Sequence, residues 1–334
     1  AAGLAHLGPR GALADADAGR IDRLRAGEIP IFEPGLAELV ERAVSRGLLE
    51  FHTDNLAAVA DARVVFLTLP TPPAGNGAAD TATVLAVAAE LAPHLGGDVV
   101  VVTKSTVPVG TAERIRTVLR AAGSEAGVVA NPEFLSEGNA VEDFLRAERV
   151  VVGAFEPDHG RMVADLYRGL SAQILAMDPA SAELVKYGAN AYLATRLTFA
   201  NALADIADGV GADVDRVIAA IGLDRRIGPH YLRPGPGYGG ACLPKDTTAF
   251  LAMTADAGYD FGLLRAVVET NRDHQERIVR RCLDLLGGGG RVALWGVAFK
   301  AGTDDTRESP GALIGRRLAE EGVEVVAYDP EATV

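Results

Sequence analysis

Short, unbroken apolar runs, each followed by a turn and then a helical stretch, constrain this chain more than any other feature. Residues 64–69, 98–103, 128–130 and 150–153 are rich in valine on successive positions instead of alternating with polar residues. Strands that read this way are buried on both faces, which happens in parallel sheets covered by helices on both sides. Helical patterns at 81–95 and Thr111–Ala121 fall between them. The alternation implies an α/β, Rossmann-like, doubly wound parallel sheet. With 334 residues, 49% of them hydrophobic, the chain can bury more than one such core.

The rhythm changes at Asp178-Pro179, where an N-capping carboxylate precedes a proline suited to the first helical position. The helical pattern then persists to about residue 208, a rod of roughly 45 Å at ~1.5 Å per residue. A helix of that length spans between domains or packs on a partner. More helix follows at 213–221 and 259–286, and 287–290 is a run of glycines that reads as a joint. The α/β rhythm resumes with a strand at 291–295, a helix opened by Ser309-Pro310, and a second strand at 323–328. The expected division is 1–177, 178–288 and 289–334: a Rossmann-like α/β domain, a long central helix with further helices, and a second α/β stretch.

A net charge of −13 argues against nucleic acid or an anionic membrane as partner. No apolar run reaches membrane-spanning length. The cysteines are two, Cys242 and Cys282, with no CxxC, HExxH or Cys/His cluster, so no metal site is expected. Two isolated thiols suit a reducing cytoplasm better than a disulfide framework.

Cys242 lies in Gly237-Tyr238-Gly239-Gly240-Ala241-Cys242-Leu243-Pro244-Lys245-Asp246. Glycines before the thiol and a proline two residues after it suit a helix N-terminus, whose free N–H groups and dipole lower a thiol's pKa. Asp246 would lie one turn further on the same face. The segment suits a small buried cysteine beside a glycine-rich turn equally well. Lys186 and Asn190 share a helix face at i, i+4, as a surface pair would too. Thr106 follows a strand, and Glu133 and Glu137 follow another, at the carboxyl ends where α/β sheets bind ligands; either glutamate could instead cap a helix. Arg226, Arg233, Lys300 and Arg307 are cations available to an anionic ligand, or ordinary solvated charges.

These segments, with Gly27-Glu28-Ile29-Pro30-Ile31-Phe32-Glu33-Pro34-Gly35, Ser105-Thr106-Val107-Pro108-Val109-Gly110, Asn131-Pro132-Glu133-Phe134-Leu135-Ser136-Glu137-Gly138, Glu183-Leu184-Val185-Lys186-Tyr187-Gly188-Ala189-Asn190 and the run from Gly296 to Pro310, occur in the order and spacing of one family. Across nearly its whole length the chain resembles the UDP-glucose/GDP-mannose 6-dehydrogenase family. The resemblance implies an NAD-dependent, four-electron oxidation of a sugar C6 alcohol to a carboxylate, with UDP-glucose as substrate and a homodimer or higher homo-oligomer as the working form. It gives Cys242 the role of nucleophile and Lys186 that of stabilising oxyanions, with Asn190 in support. Asp246 orients water or acts with Lys186 as base, Thr106 holds a water, Glu137 serves as base for thioester hydrolysis, and Glu133 binds water. It implies cofactor contacts from Asp15, Thr71, Ser105, Thr106, Glu137 and Arg307. Substrate contacts fall to Phe134, Leu135, Lys186, Asn190, Arg226, Arg233, Tyr238, Gly239, Phe299 and Lys300, with Arg226 reaching a neighbouring subunit.

The family's opening strand and GxGxxG turn have no counterpart here. The expectation is a chain that begins inside the following helix and stops within its last domain. Asp15 is then the acid for the adenosine ribose, on a strand weakened by Ala-Asp-Ala-Asp. Competing readings are a GDP-mannose or UDP-N-acetylhexosamine 6-dehydrogenase, a two-electron β-hydroxyacid dehydrogenase with the same Lys-x-x-x-Asn pair but no need of a thiol, and a non-catalytic subunit.

Overall fold

The computed structural model describes residues 1–333. They form two compact units, one of Ala1–Ala74 with Ala79–Lys186, the other of Gly75–Ala78 with Tyr187–Val334.

The first unit carries strands β1 (Gly11–Ala14), β2 (Leu49–His52), β3 (Val64–Leu67), β4 (Val100–Thr103), β5 (Gly127–Ala130), β6 (Arg149–Ala154) and β7 (Gln173–Met177). β1 and β2 pair in parallel, and the other five form one sheet in the order β3-β4-β5-β6-β7. The unbroken valine runs are explained by their burial, since every residue of β4 and β5 is buried. Val101 joins a core with Val65, Leu67, Ile115 and Leu119 on one face, while Val100 and Val102 join Val129, Val152 and Val163 on the other. Each such valine contributes about 1.5–3 kcal/mol of transfer free energy.

The α/β sheet is parallel at every pairing of this unit but one. β6 runs antiparallel to β5, with Val129 opposite Ala154. The connection between them contains only the short helix Ala140–Leu145. It stays at the carboxyl end of β5 and re-enters the sheet from there, so no crossover reverses the chain.

In the second unit, helix Val214–Gly222 is capped by Asp213 and helix Gly262–Leu286 ends at Gly287 in the left-handed conformation. β8 (Arg291–Trp295) and β9 (Glu324–Tyr328) pair in parallel, with helix Pro310–Glu320 between them in sequence. Ser309 caps that helix by accepting from Ala312 N–H. Helix Pro179–Val210 is 32 residues long and belongs to both units. Asp178 starts it as the sequence implies, accepting from the backbone N–H and the hydroxyl of Ser181 at 2.9 and 2.6 Å. Tyr192, Phe199 and Ile206 recur every seventh residue along it and are 60%, 52% and 59% exposed.

Candidate active site

In the first unit the sequence-predicted residues sit where the parallel strands end. Thr71 follows β3, and its hydroxyl donates to Thr106 C=O at 2.9 Å. Ser105 follows β4, and its hydroxyl donates to Leu69 C=O at 2.6 Å. Asp15 follows β1 and is held by Asp17 N–H and by Arg20, contacts that draw its carboxyl below the usual range.

After β5 the chain turns through Asn131 to Glu137. Glu133 accepts from Lys186 Nζ at 2.8 Å and from Leu135 N–H. The Lys186 side chain is 5% exposed. The Phe134 ring is packed on by the Arg149 guanidinium, 4.1 Å from its centroid, with Lys186 Nζ at 5.7 Å. Phe134 therefore faces its own unit's cations, while Leu135 is exposed. Lys186, Ser105, Thr106 and Pro132 border a cavity of about 10 Å³, at the lower limit for one water. The buried Thr103 hydroxyl, which also lines it, has no partner.

Sequence reasoning gave no role to Lys104, Tyr167, Glu183 and Glu33, which build this region. Lys104 donates to Asn131 C=O and Oδ1 at 3.2 and 3.0 Å, and Tyr167 donates to the same Oδ1 at 2.6 Å. Burial brings the Lys104 ammonium down to about 8, with repulsion from Lys186 adding to it and attraction to Glu133 opposing it. Glu183 accepts from Gly110 N–H and Ala112 N–H at 2.6 and 2.7 Å, closing the N-terminus of helix Thr111–Ala121. Burial pushes its carboxyl up to about 7, although those N–H groups pull the other way. Glu33 accepts from Gly138 N–H and Ala140 N–H, both at 2.8 Å, and so fastens the loop that carries Glu137. The signal was present, since Glu33 and Glu183 both stand inside motif segments.

Hydroxyls and carboxylates at the carboxyl ends of β1, β3, β4 and β5 are a donor set that suits the riboses and amide of a dinucleotide. The unpartnered Thr103 hydroxyl beside Ser105 and Thr106 leaves polar capacity unused there. The residues present fit NAD.

In the second unit Cys242 is exposed and is the N-cap residue of helix Leu243–Asp256, with proline in the first turn. Asp246 is buried one turn on, accepting from Asn190 Nδ2 and Lys245 Nζ, both at 2.6 Å. A helix N-terminus is a favourable place for an anion. The glycines before the thiol are forced by packing. A Cβ on Gly239 would lie 2.0 Å from Glu308 C=O, and one on Gly240, at φ +81°, would lie 2.7 Å from the Phe299 ring. Gly240 N–H donates to Arg307 C=O at 3.0 Å, and Phe299 N–H to Asp305 C=O at 2.9 Å. Lys300 Nζ lies 5.6 Å from the Phe299 centroid. Tyr238 is buried, its backbone N–H and C=O both taken by Asn271 and its phenol by Thr247, so it anchors the loop.

The remaining sequence-predicted cations are arginines with exposed side chains. Arg226 is exposed and paired with Asp224, on a turn whose Ile227 and Gly228 carbonyls accept from Arg196. Arg233 is exposed. The Arg307 side chain pairs with Asp305. Among the described residues there is no cluster of His, Cys, Asp and Glu that could hold a metal ion, and no helix long and apolar enough to cross a membrane.

Three family descriptions match the chain in order. Residues 1–171 match the NAD binding domain of the UDP-glucose/GDP-mannose dehydrogenase family, 180–273 its central domain, and 293–334 its UDP binding domain. The UDP-glucose 6-dehydrogenase YwqF of Bacillus subtilis (strain 168) is 40% identical over 98% of this chain and 76% of its own length. The structure of a UDP-glucose dehydrogenase from the archaeon Pyrobaculum islandicum superposes with a TM-score of 0.95 at 40% identity, covering 98% of this chain and 78% of that one. A UDP-D-ManNAc dehydrogenase from Pyrococcus horikoshii matches with a TM-score of 0.89 at 26% identity, covering 100% and 81%. The chain therefore belongs to the UDP-glucose/GDP-mannose dehydrogenase family of NAD-binding oxidoreductases, with residues of its NAD-binding, central and UDP-binding domains in that order.

Proposed function

We propose that the chain oxidises C6 of UDP-glucose to a carboxylate in two hydride transfers, through a thioester on Cys242. The observation that carries this reading is an exposed thiol at a proline-started helix N-terminus with a buried carboxylate one turn on. UDP-glucose is favoured as the sugar because the relatives named for it match at 40% identity and the UDP-D-ManNAc enzyme at 26%.

NAD, when bound by Asp15, Thr71, Ser105, Thr106, Glu137 and Arg307, supplies the hydride acceptor at each oxidation. Asp246, through a water it orients or together with Lys186, takes the proton of the C6 hydroxyl, and Lys186 stabilises the negative charge on that oxygen. An aldehyde cannot give up a second hydride until something adds to it, and that is the task of Cys242. The C–S bond forms, the carbonyl π pair moves onto oxygen, and Lys186 and Asn190 stabilise the alkoxide. Loss of hydride from C6 then leaves a thioester. Glu137 takes a proton from the attacking water, Glu133 and Thr106 hold waters, and Asp246 orients water or shares the base role with Lys186. The C–S bond breaks and the thiolate returns. Phe134, Leu135, Arg233, Tyr238, Gly239, Phe299 and Lys300 serve the sugar nucleotide, Tyr238 through its loop. The test is stoichiometry: purified protein should form about two NADH per UDP-glucose and none with GDP-mannose, and one NADH per sugar would refute the thioester.

The three-part division at 1–177, 178–288 and 289–334 belongs to the same reading. So does a homodimer, supported by the stripe of Tyr192, Phe199 and Ile206 along one helix, an apolar repeat of the kind that seats a second helix. Arg226, exposed beyond its Asp224 pair, is then available to a partner's substrate. Phe199→Asp should convert the dimer to monomer in light scattering, whereas an unchanged mass would remove the stripe from the interface.

A further inference from the structure

The segment 233–242 is rich in glycine and proline, and it is held at fixed points by buried polar side chains. Gly235 N–H donates to Asn201 Oδ1 at 2.9 Å, and Gly235 C=O lies 2.8 Å from His274 Nε2. His274 Nδ1 is 3.0 Å from Asp205 Oδ2, which Arg277 also contacts at 3.2 Å. The ring therefore stands between the Gly235 carbonyl and the Asp205 carboxylate. Three residues on, Asn271 accepts from Tyr238 N–H at 2.9 Å and donates to Tyr238 C=O at 3.2 Å, as a paired strand would. Asn201, Asn271, His274 and Gln275 are each at most 7% exposed.

Polar side chains are rarely buried without a task that offsets their desolvation. Here helix Gly262–Leu286 turns Asn271, His274 and Gln275 inward at i, i+3 and i+4, one contiguous patch. Gly237 fits against that patch only because it lacks a side chain: a Cβ there would lie 2.9 Å from both Asn271 Oδ1 and Gln275 Nε2. The loop atoms that Asn271 and His274 hold are all backbone, and that backbone runs four residues later into Cys242.

We propose that Asn271 and His274 are positioning residues for the Cys242 thiol, fixing the backbone at Gly235 and Tyr238 so that the loop delivers the thiol to the C6 aldehyde. The proposal rests on the nucleophilic role of Cys242. It separates the two oxidations: the first hydride leaves an alcohol and does not involve the thiol, whereas the second waits for the C–S bond. A displacement of about 1 Å costs a positioned group on the order of 100-fold in rate.

The experiment is a single turnover with enzyme in excess over UDP-glucose and NAD saturating, following NADH by absorbance in His274→Phe and Asn271→Asp. Folding is checked by near-UV circular dichroism. The expected result is two phases, a first equivalent of NADH within about three-fold of the unmodified protein and a second slowed 10- to 100-fold. His274→Gln keeps a donor for Gly235 C=O and should restore part of the second phase; it also carries the test if His274→Phe does not fold. Both equivalents at the original rates in a folded variant overturn the proposal, and so does an equal slowing of the two. Cys242→Ser, run alongside, separates the causes. If it too forms both equivalents at the original rates, the nucleophile assignment has failed; if it stops at one while the His274 and Asn271 variants do not slow, the positioning idea alone has failed.

Discussion

Cys242→Ser should yield a folded protein that releases no uronate and lowers steady-state NADH formation by about three orders of magnitude or more, the scale on which removing a covalent nucleophile acts. Serine keeps the shape of the side chain and the N-cap position of helix Leu243–Asp256. Because Cys242 is exposed, the exchange should change stability by no more than about 0.5 kcal/mol. The loss is chemical: a serine hydroxyl is scarcely ionised near neutral pH and is a far weaker nucleophile than a thiolate. Turnover within ten-fold of the unmodified protein would mean that water, not sulfur, adds to the aldehyde.

Lys186→Met should lower kcat by about 100- to 1,000-fold, the usual effect of removing one stabiliser of a developing oxyanion, with KM for UDP-glucose changed little. Methionine fills the space of the lysine stem, so the packing around this nearly buried side chain survives. Glu133 loses the ammonium at 2.8 Å but keeps Leu135 N–H, and at 26% exposure it can rehydrate instead of standing as a bare buried charge. Stability should therefore fall by only ~1–2 kcal/mol, less than the ~3–5 kcal/mol of a fully buried pair broken on one side. Steady-state kinetics decide it, since a folded Lys186→Met protein with kcat within three-fold of normal would leave the ammonium with a structural role only.

The sheet was legible because its strands are buried on both faces, so β4 and β5 carry their structure in composition alone. The caps at Asp178 and Ser309 were legible because capping is local, resolved within three residues. The reversal of β6 was not, because strand direction is set by where a connection re-enters the sheet and no periodicity records that. Nor were Glu33, Glu183, Asn271 and His274. Each is a polar residue that reads as solvated, while its partner lies 33 to 107 residues away in sequence. The candidate site was legible as residue types and as local structure. Cys242 stands at a helix start as its neighbours imply, while the internal bonds of Tyr238 join residues distant in sequence.

The glycines at 237, 239 and 240 have a bearing on ancestry as well as on packing. Each is excluded from carrying a side chain by a neighbour in the same unit, respectively Asn271, Glu308 and Phe299. A descendant that lost the reaction but kept the fold would stay under the same steric selection and would keep all three. The glycine run is thus a marker of shared architecture. Under the proposed thioester mechanism, the presence or absence of a thiol at position 242 is the better divider of enzymes from inert copies.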